Sequence, residues 1–174
     1  MFSVGDKVIH RVYGGGIITA RKEMQLTETP HCYFLIQMIG SSSTLMVPTD
    51  RAEQILRPVS KKVALRHLLA KELAGKPDKL PADYKERAEH IKSKLSSGET
   101  RKWIRVVRNL TYQQQQGSLS SADRKLLGRA MHLLSEELAL AQGIDQGEAE
   151  ARLLSIIKRA ADANDAELTV AMAN

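Results

Sequence analysis

Five histidines, one cysteine and a pair of adjacent glutamates are the side chains of this 174-residue chain best suited to chemistry, so their spacing comes first. His10, His31, His67, His90 and His132 share no metal-ligand interval, and Cys32 stands beside His31 with no further ligand nearby in sequence. A multi-cysteine zinc site and an internal disulfide framework are thereby excluded. Glu136 and Glu137 fall together on one expected helix, with no second acidic pair placed to work with them as acid and base. No G-x-S-x-G elbow marks a nucleophile. Gly14-Gly15-Gly16 lacks the frame of a phosphate loop and leads into an expected strand, so it reads as a sharp turn whose chain can run close to another backbone. The chain reads as a non-enzyme, with no metal or cofactor expected.

Basic side chains offer more. Lys plus Arg number 26 against 20 Asp plus Glu, and the excess of +6 is uneven. Residues 1–58 carry 6 basic and 5 acidic groups, residues 59–120 carry 14 and 6, and residues 121–174 carry 6 and 9. The middle third holds the whole surplus, as expected of a surface that meets phosphates or an acidic partner. Within it Arg101, Arg105 and Arg108 recur at i, i+4 and i+7, a guanidinium row on one helical face, with Lys92 and Lys94 before it and Arg124, Lys125 and Arg129 after it. Such a row suits a nucleic-acid backbone, because each neutralised phosphate releases counterion and arginine can grip two oxygens at once. The competing reading is a solvated face with salt bridges to Glu86, Glu89 and Glu99. Lys79-Leu80-Pro81 places an apolar residue in the loop before a basic helix, where by itself it reads as a hydrophobic staple. Only seven residues are aromatic, too few for broad base-stacking platforms.

Two kinds of element must position these groups. Residues 1–58 alternate apolar and polar in short runs, predicting strands at Lys7–His10, Gly16–Ala20, Tyr33–Ile39, Thr44–Pro48 and Gln54–Leu56. That is a small, strongly bent SH3-like or Tudor-like barrel. Past Pro58 the period becomes helical. Helices are expected around Val63–Leu73, over 82–95, from an N-cap at Thr100, from a capping box at Ser120 and Asp123 to about Gln142, and from Asp145 onward. The fold class is therefore α+β: a barrel over 1–58, a separate all-α domain of about five helices over 59–162, and a disordered tail over 163–174. The start of the chain lacks a signal-peptide pattern and no apolar run approaches 18 residues, so a cytoplasmic protein with no membrane partner is expected.

The order of parts resembles a known family. Val4-Gly5-Asp6-Lys7-Val8, Tyr13-Gly14-Gly15-Gly16, Tyr33-Phe34-Leu35-Ile36 and Leu45-Met46-Val47-Pro48 resemble the RNA-polymerase-interacting, Tudor-like domain of bacterial CarD/CdnL transcription regulators. Tyr84-Lys85, Leu95-Ser96-Ser97-Gly98, Val106-Val107-Arg108-Asn109-Leu110 and Glu136-Glu137-Leu138-Ala139 resemble the same family's helical DNA-binding domain. Transcription-repair coupling factors carry a similar first module; the helical domain separates the two. The resemblance implies a monomeric regulator that binds the polymerase β subunit and the upstream edge of the promoter bubble, contacting phosphates and the minor groove, and so modulates open-complex stability. Polymerase contact would fall at Met24, Gln37, Thr44 and Met46, where the family commonly has arginine at the first and last. DNA contact would fall at Lys79, Leu80, Lys85, Arg101, Arg105, Arg124 and Lys125. Leu80 stands where the family's wedging tryptophan is expected, and Trp103 is expected in the core. The alternative reading is an RNA- or ribosome-associated module built on a Tudor-like barrel.

Overall fold

The computed structural model describes residues 1–25 and 30–172, with side chains described through residue 163. Strands β1 (Lys7–His10), β2 (Gly14–Met24), β3 (His31–Met38), β4 (Thr44–Pro48) and β5 (Leu56–Pro58) form one antiparallel sheet in the order β4-β3-β2-β1-β5. A bulge between Ile18 and Ala20 bends β2. Val8, Ile18, Phe34, Ile36, Met38 and Val47 alternate onto one face and are buried with Ala52 and Leu56. Because Val47 and Leu56 come from opposite edges of the sheet and share one cluster, the sheet curls around its own core.

One expected strand is displaced. Gln54 and Ile55 belong to a single helical turn, α1 (Ala52–Ile55), and β5 begins only at Leu56. The turn brings Ala52 and Leu56, four residues apart, into the same core, a spacing that a strand would have sent to one face some 13 Å apart.

Five further helices follow: α2 (Lys62–Leu73), α3 (Tyr84–Ser96), α4 (Thr100–Gln115), α5 (Ser121–Gln142) and α6 (Gln146–Met172). Trp103, Ile104, Val107 and Leu110 of α4 form the centre of their core, packed with Leu65 and Leu69, Ile91 and Leu95, Leu133 and Leu134, and Leu153. The Trp103 indole donates to the Leu95 carbonyl at 2.9 Å, so its one polar atom is satisfied. Ser120 caps α5 by accepting from the Asp123 N–H. Thr100, expected as the N-cap of α4, is instead its first helical residue; Glu99 occupies the cap position and Thr100 turns its hydroxyl to Glu137. α6 also continues to Met172, past Ala163, where a disordered tail is expected; Ala163, Ala166, Glu167 and Leu168 are good helix formers, and residues 173–174 of that tail lie outside the described residues.

The second face of the sheet meets the helices. Ile9, Ile17 and Ile39 pack in the helical core rather than in the sheet's own, so the two units share apolar surface.

Candidate nucleic-acid interface

The N-termini of α3 and α5 lie side by side, held by Arg87. Its guanidinium reaches Asp123 at 3.1 Å and donates to the carbonyls of Pro81 and Ala82, tying the loop before α3 to the first turn of α5. Burial alone would push the Asp123 carboxyl up, but Ser120 and Arg87 hold it below the usual carboxylate range. Asp83 caps α3 by accepting from the N–H groups of Lys85 and Glu86. Asp123 and Asp83 are thus spent on the fold, one inside it and one on a helix end, while Glu86 stands exposed on the first turn of α3. The corner shows Tyr84, Lys85, Arg124 and Lys125 to solvent, with Asp83 and Glu86 exposed at the same turn of α3.

Tyr84 is 61 % exposed on the first turn of α3, with Lys85 Nζ 5.8 Å from its ring centroid. Leu80 is half-buried and packs against the helical core, so it offers only part of its side chain. Lys79 is exposed in the same loop, beside Asp78. The loop is pinned from beneath: Asn109 of α4 accepts from the Asp78 N–H at 3.0 Å and donates to its carboxylate, while Arg108 pairs with that carboxylate at 3.0 Å.

The arginine row on α4 does face one way, but it is not free. Arg101 and Arg105 lie 3.2 and 2.7 Å from the two carboxylate oxygens of Glu72, and Arg108 is buried against Asp78 and the Glu72 carbonyl. The hydrogen bond from Arg105, helped by its charge, holds Glu72 below the ordinary carboxylate range despite burial. The partners are therefore Glu72 and Asp78, from α2 and the loop after it, rather than Glu86, Glu89 and Glu99. Glu89 and Glu99 pair with Lys92 and Lys102 instead. Tertiary approach of α2 to α4 decides this, which spacing along α4 cannot reveal.

On the sheet, register brings Met24, Gln37, Thr44 and Met46 to one face. Gln37 stands opposite Thr44, whose hydroxyl donates to it at 3.2 Å, and Leu35 stands opposite Met46. Met46 is 41 % exposed on β4, which ends the sheet and has β3 as its only strand partner among the described residues. An extended segment of another chain could add there by main-chain hydrogen bonds.

Two comparisons bear on this arrangement. Residues 2–60 match the domain family described as CarD-like/TRCF RID domain, and residues 68–154 match the one described as CarD, C-terminal domain. The chain belongs to the CarD family. This CarD-family chain is also 31 % identical over 147 residues to YdeB of Bacillus subtilis (strain 168), which carries the name of a transcription factor; the match covers 84 % of this chain and 95 % of the relative. It is accordingly a member of a transcription-regulator family, with a Tudor-like first unit of the RNA-polymerase-interacting class. Among the described residues no helix is long and apolar enough to cross a membrane.

Sequence reasoning passed over three residues that matter in this CarD-family fold. Tyr84 was visible only as part of the motif Tyr84-Lys85. Glu136 and Glu137, which have no second acidic pair in the sequence, are buried between the two units, where Arg57 partners Glu137 and the Gly15 N–H and His132 partner Glu136. The glycine triplet was the one signal: a Cβ at Gly14 or Gly15 would collide with Glu136 or Leu140 of α5.

Proposed function

We propose that this protein binds the β subunit of RNA polymerase through the outer face and free edge of β4, and the upstream edge of the promoter bubble through the corner where α3 and α5 begin. The observation that carries the reading is that corner: an exposed aromatic ring and three exposed cations, with Asp83 and Glu86 as the exposed acidic neighbours at the start of α3, on a chain whose other unit is of the polymerase-interacting class. Lys85, Arg124 and Lys125 contact phosphates, with Lys79 beside them. Tyr84 is the apolar wedge, because it projects where Leu80 is held against the core; Leu80 braces the loop. Arg101 and Arg105, already paired with Glu72, add a weaker flank.

Contacts of this kind read groove shape and backbone rather than sequence. A protein that binds polymerase and melted promoter together lowers the free energy of the open complex by the difference between its affinities for the open and closed forms. Tethering to polymerase supplies the effective concentration that weak DNA binding lacks. Met24 and Met46, where the family commonly has arginine, make the polymerase contact more apolar.

Open-complex kinetics with purified polymerase test the reading. The protein changes open-complex lifetime, Tyr84→Ala and Lys85→Ala reduce the change, and Met46→Glu weakens capture of polymerase. Co-purification with ribosomes in place of polymerase would sink it.

A further inference from the structure

Two consecutive glutamates of α5, Glu136 and Glu137, are 2 % and 0 % exposed, and both are directed at the β unit. Glu137 accepts five hydrogen bonds: two from Arg57 of β5 at 2.7 and 2.8 Å, two from Ser60 through its N–H and hydroxyl, and one from the Thr100 hydroxyl. Arg57, itself partly exposed, is held by further partners. Its Nε donates to the Gly98 carbonyl at 2.6 Å, a terminal nitrogen donates to Thr100, and its plane lies 5.4 Å from the Trp103 ring centroid. Glu136 accepts from the Gly15 N–H at 2.9 Å and meets His132 at 3.0 Å, while Lys7 donates to the Leu140 carbonyl at 2.8 Å. Gly98, at φ +76°, lies so close to Arg11 that a Cβ would stand 2.9 Å from its Cα.

An ordinary interdomain contact is loosely polar and permits relative motion. This one has a bidentate ion pair, a buried backbone-to-carboxylate bond and shared apolar packing, each with fixed geometry. We infer that the paired carboxylates of α5 are a clamp that sets the angle between the polymerase-facing sheet and the DNA-facing helices, and that Arg57 and Glu137 are positioning residues for regulation. The inference rests on the proposed function, since a fixed angle matters only if both faces are used at once. Linked binding gains affinity only when the geometry lets both contacts form together. A rigid clamp meets that condition in advance, and a loosened one spends part of the gain on ordering the two units.

The test uses the full-length chain with two independent lesions. Glu137→Gln keeps shape but removes the charge that Arg57 grips. Gly40→Val leaves the ion pair intact and forces a side chain into the space that Glu136 and His132 occupy. Residual dipolar couplings report whether each variant keeps its two units folded and whether they share one alignment tensor. Separate titrations with polymerase and with a fork-junction duplex report the individual contacts. The expected result is two alignment tensors, individual affinities within about twofold of wild type, and an effect on open-complex lifetime reduced roughly tenfold, a part of the roughly 10²–10⁴-fold that linkage contributes. Wild-type action on lifetime in a variant with two tensors would overturn the clamp. A wild-type protein that binds neither probe would overturn the proposed function instead, so the two failures are distinguishable.

Discussion

At the scale of single residues, exposure separates Tyr84 from Leu80. Tyr84→Ala removes a ring that touches little of the fold, so it weakens binding to a fork-junction duplex while leaving the melting temperature near wild type. Leu80→Ala loses packing against the helical core and lowers stability by about 1–2 kcal/mol, less than a fully buried leucine because part of the side chain is already in water. Parallel melts and fluorescence anisotropy check both. Lys85→Ala and Arg124→Ala each reduce the slope of log affinity against log salt by about 1, as the loss of one phosphate contact requires. Titrations at several salt concentrations read that slope, and an unchanged slope would remove the residue from the interface. Glu136 provides a pH prediction. Burial raises its carboxyl above the ordinary range, against the opposing pull of the Gly15 N–H, His132 and Arg129. The folded state therefore binds this proton more readily than the unfolded state, and the ionised group costs stability above its folded pKa. That cost declines as pH falls below the folded pKa and is gone below the lower, unfolded one. Glu136→Gln melts above wild type at pH 8, and the difference shrinks as pH is lowered. Glu137 has the opposite sign: burial pushes it up, but Arg57, Ser60 and Thr100 bring it below the ordinary range, so its contribution is present near neutrality and lost in acid.

Among the elements, those legible in the sequence are the ones whose signals are local. Ser120 with Asp123 marks the start of α5, and the pattern of Trp103, Val106, Val107 and Leu110 marks the buried stripe of α4. Ser120→Ala removes the acceptor for the Asp123 N–H and a partner of its carboxylate, and costs about 1 kcal/mol in a denaturant titration. The misplaced elements are those decided by long-range contacts. Gln54–Leu56 alternates like a strand, but the core's need for both Ala52 and Leu56 winds its first half into α1. Thr100 has the side chain of an N-cap, yet Glu137 and Arg57 claim its hydroxyl. The row Arg101, Arg105 and Arg108 has the spacing of a phosphate-binding face, yet Glu72 and Asp78 claim most of its charge.

In the whole molecule, the sheet and the helical bundle are joined too firmly to melt apart. Ile9 lies in the helical core, and the Arg57–Glu137 pair crosses the boundary with one member wholly buried. Arg57→Ala leaves a buried carboxylate without its cation and costs about 3–5 kcal/mol, which appears as a lower midpoint of one shared transition rather than as early loss of the sheet. Calorimetry with two resolved transitions in the wild type would contradict this. Sequence by itself determined the two periodicities, the change between them after Pro58, the Ser120 cap of α5, the basic middle and the family, because each is written in residues close together in the chain. Only the tertiary structure decided which cations remain free, which apolar side chain of the α3 corner projects into water, and how the two units are joined. Those outcomes depend on pairs such as Arg57 with Glu137 or Glu72 with Arg105, whose members are far apart in sequence and meet only when α2, α4, α5 and the sheet pack together.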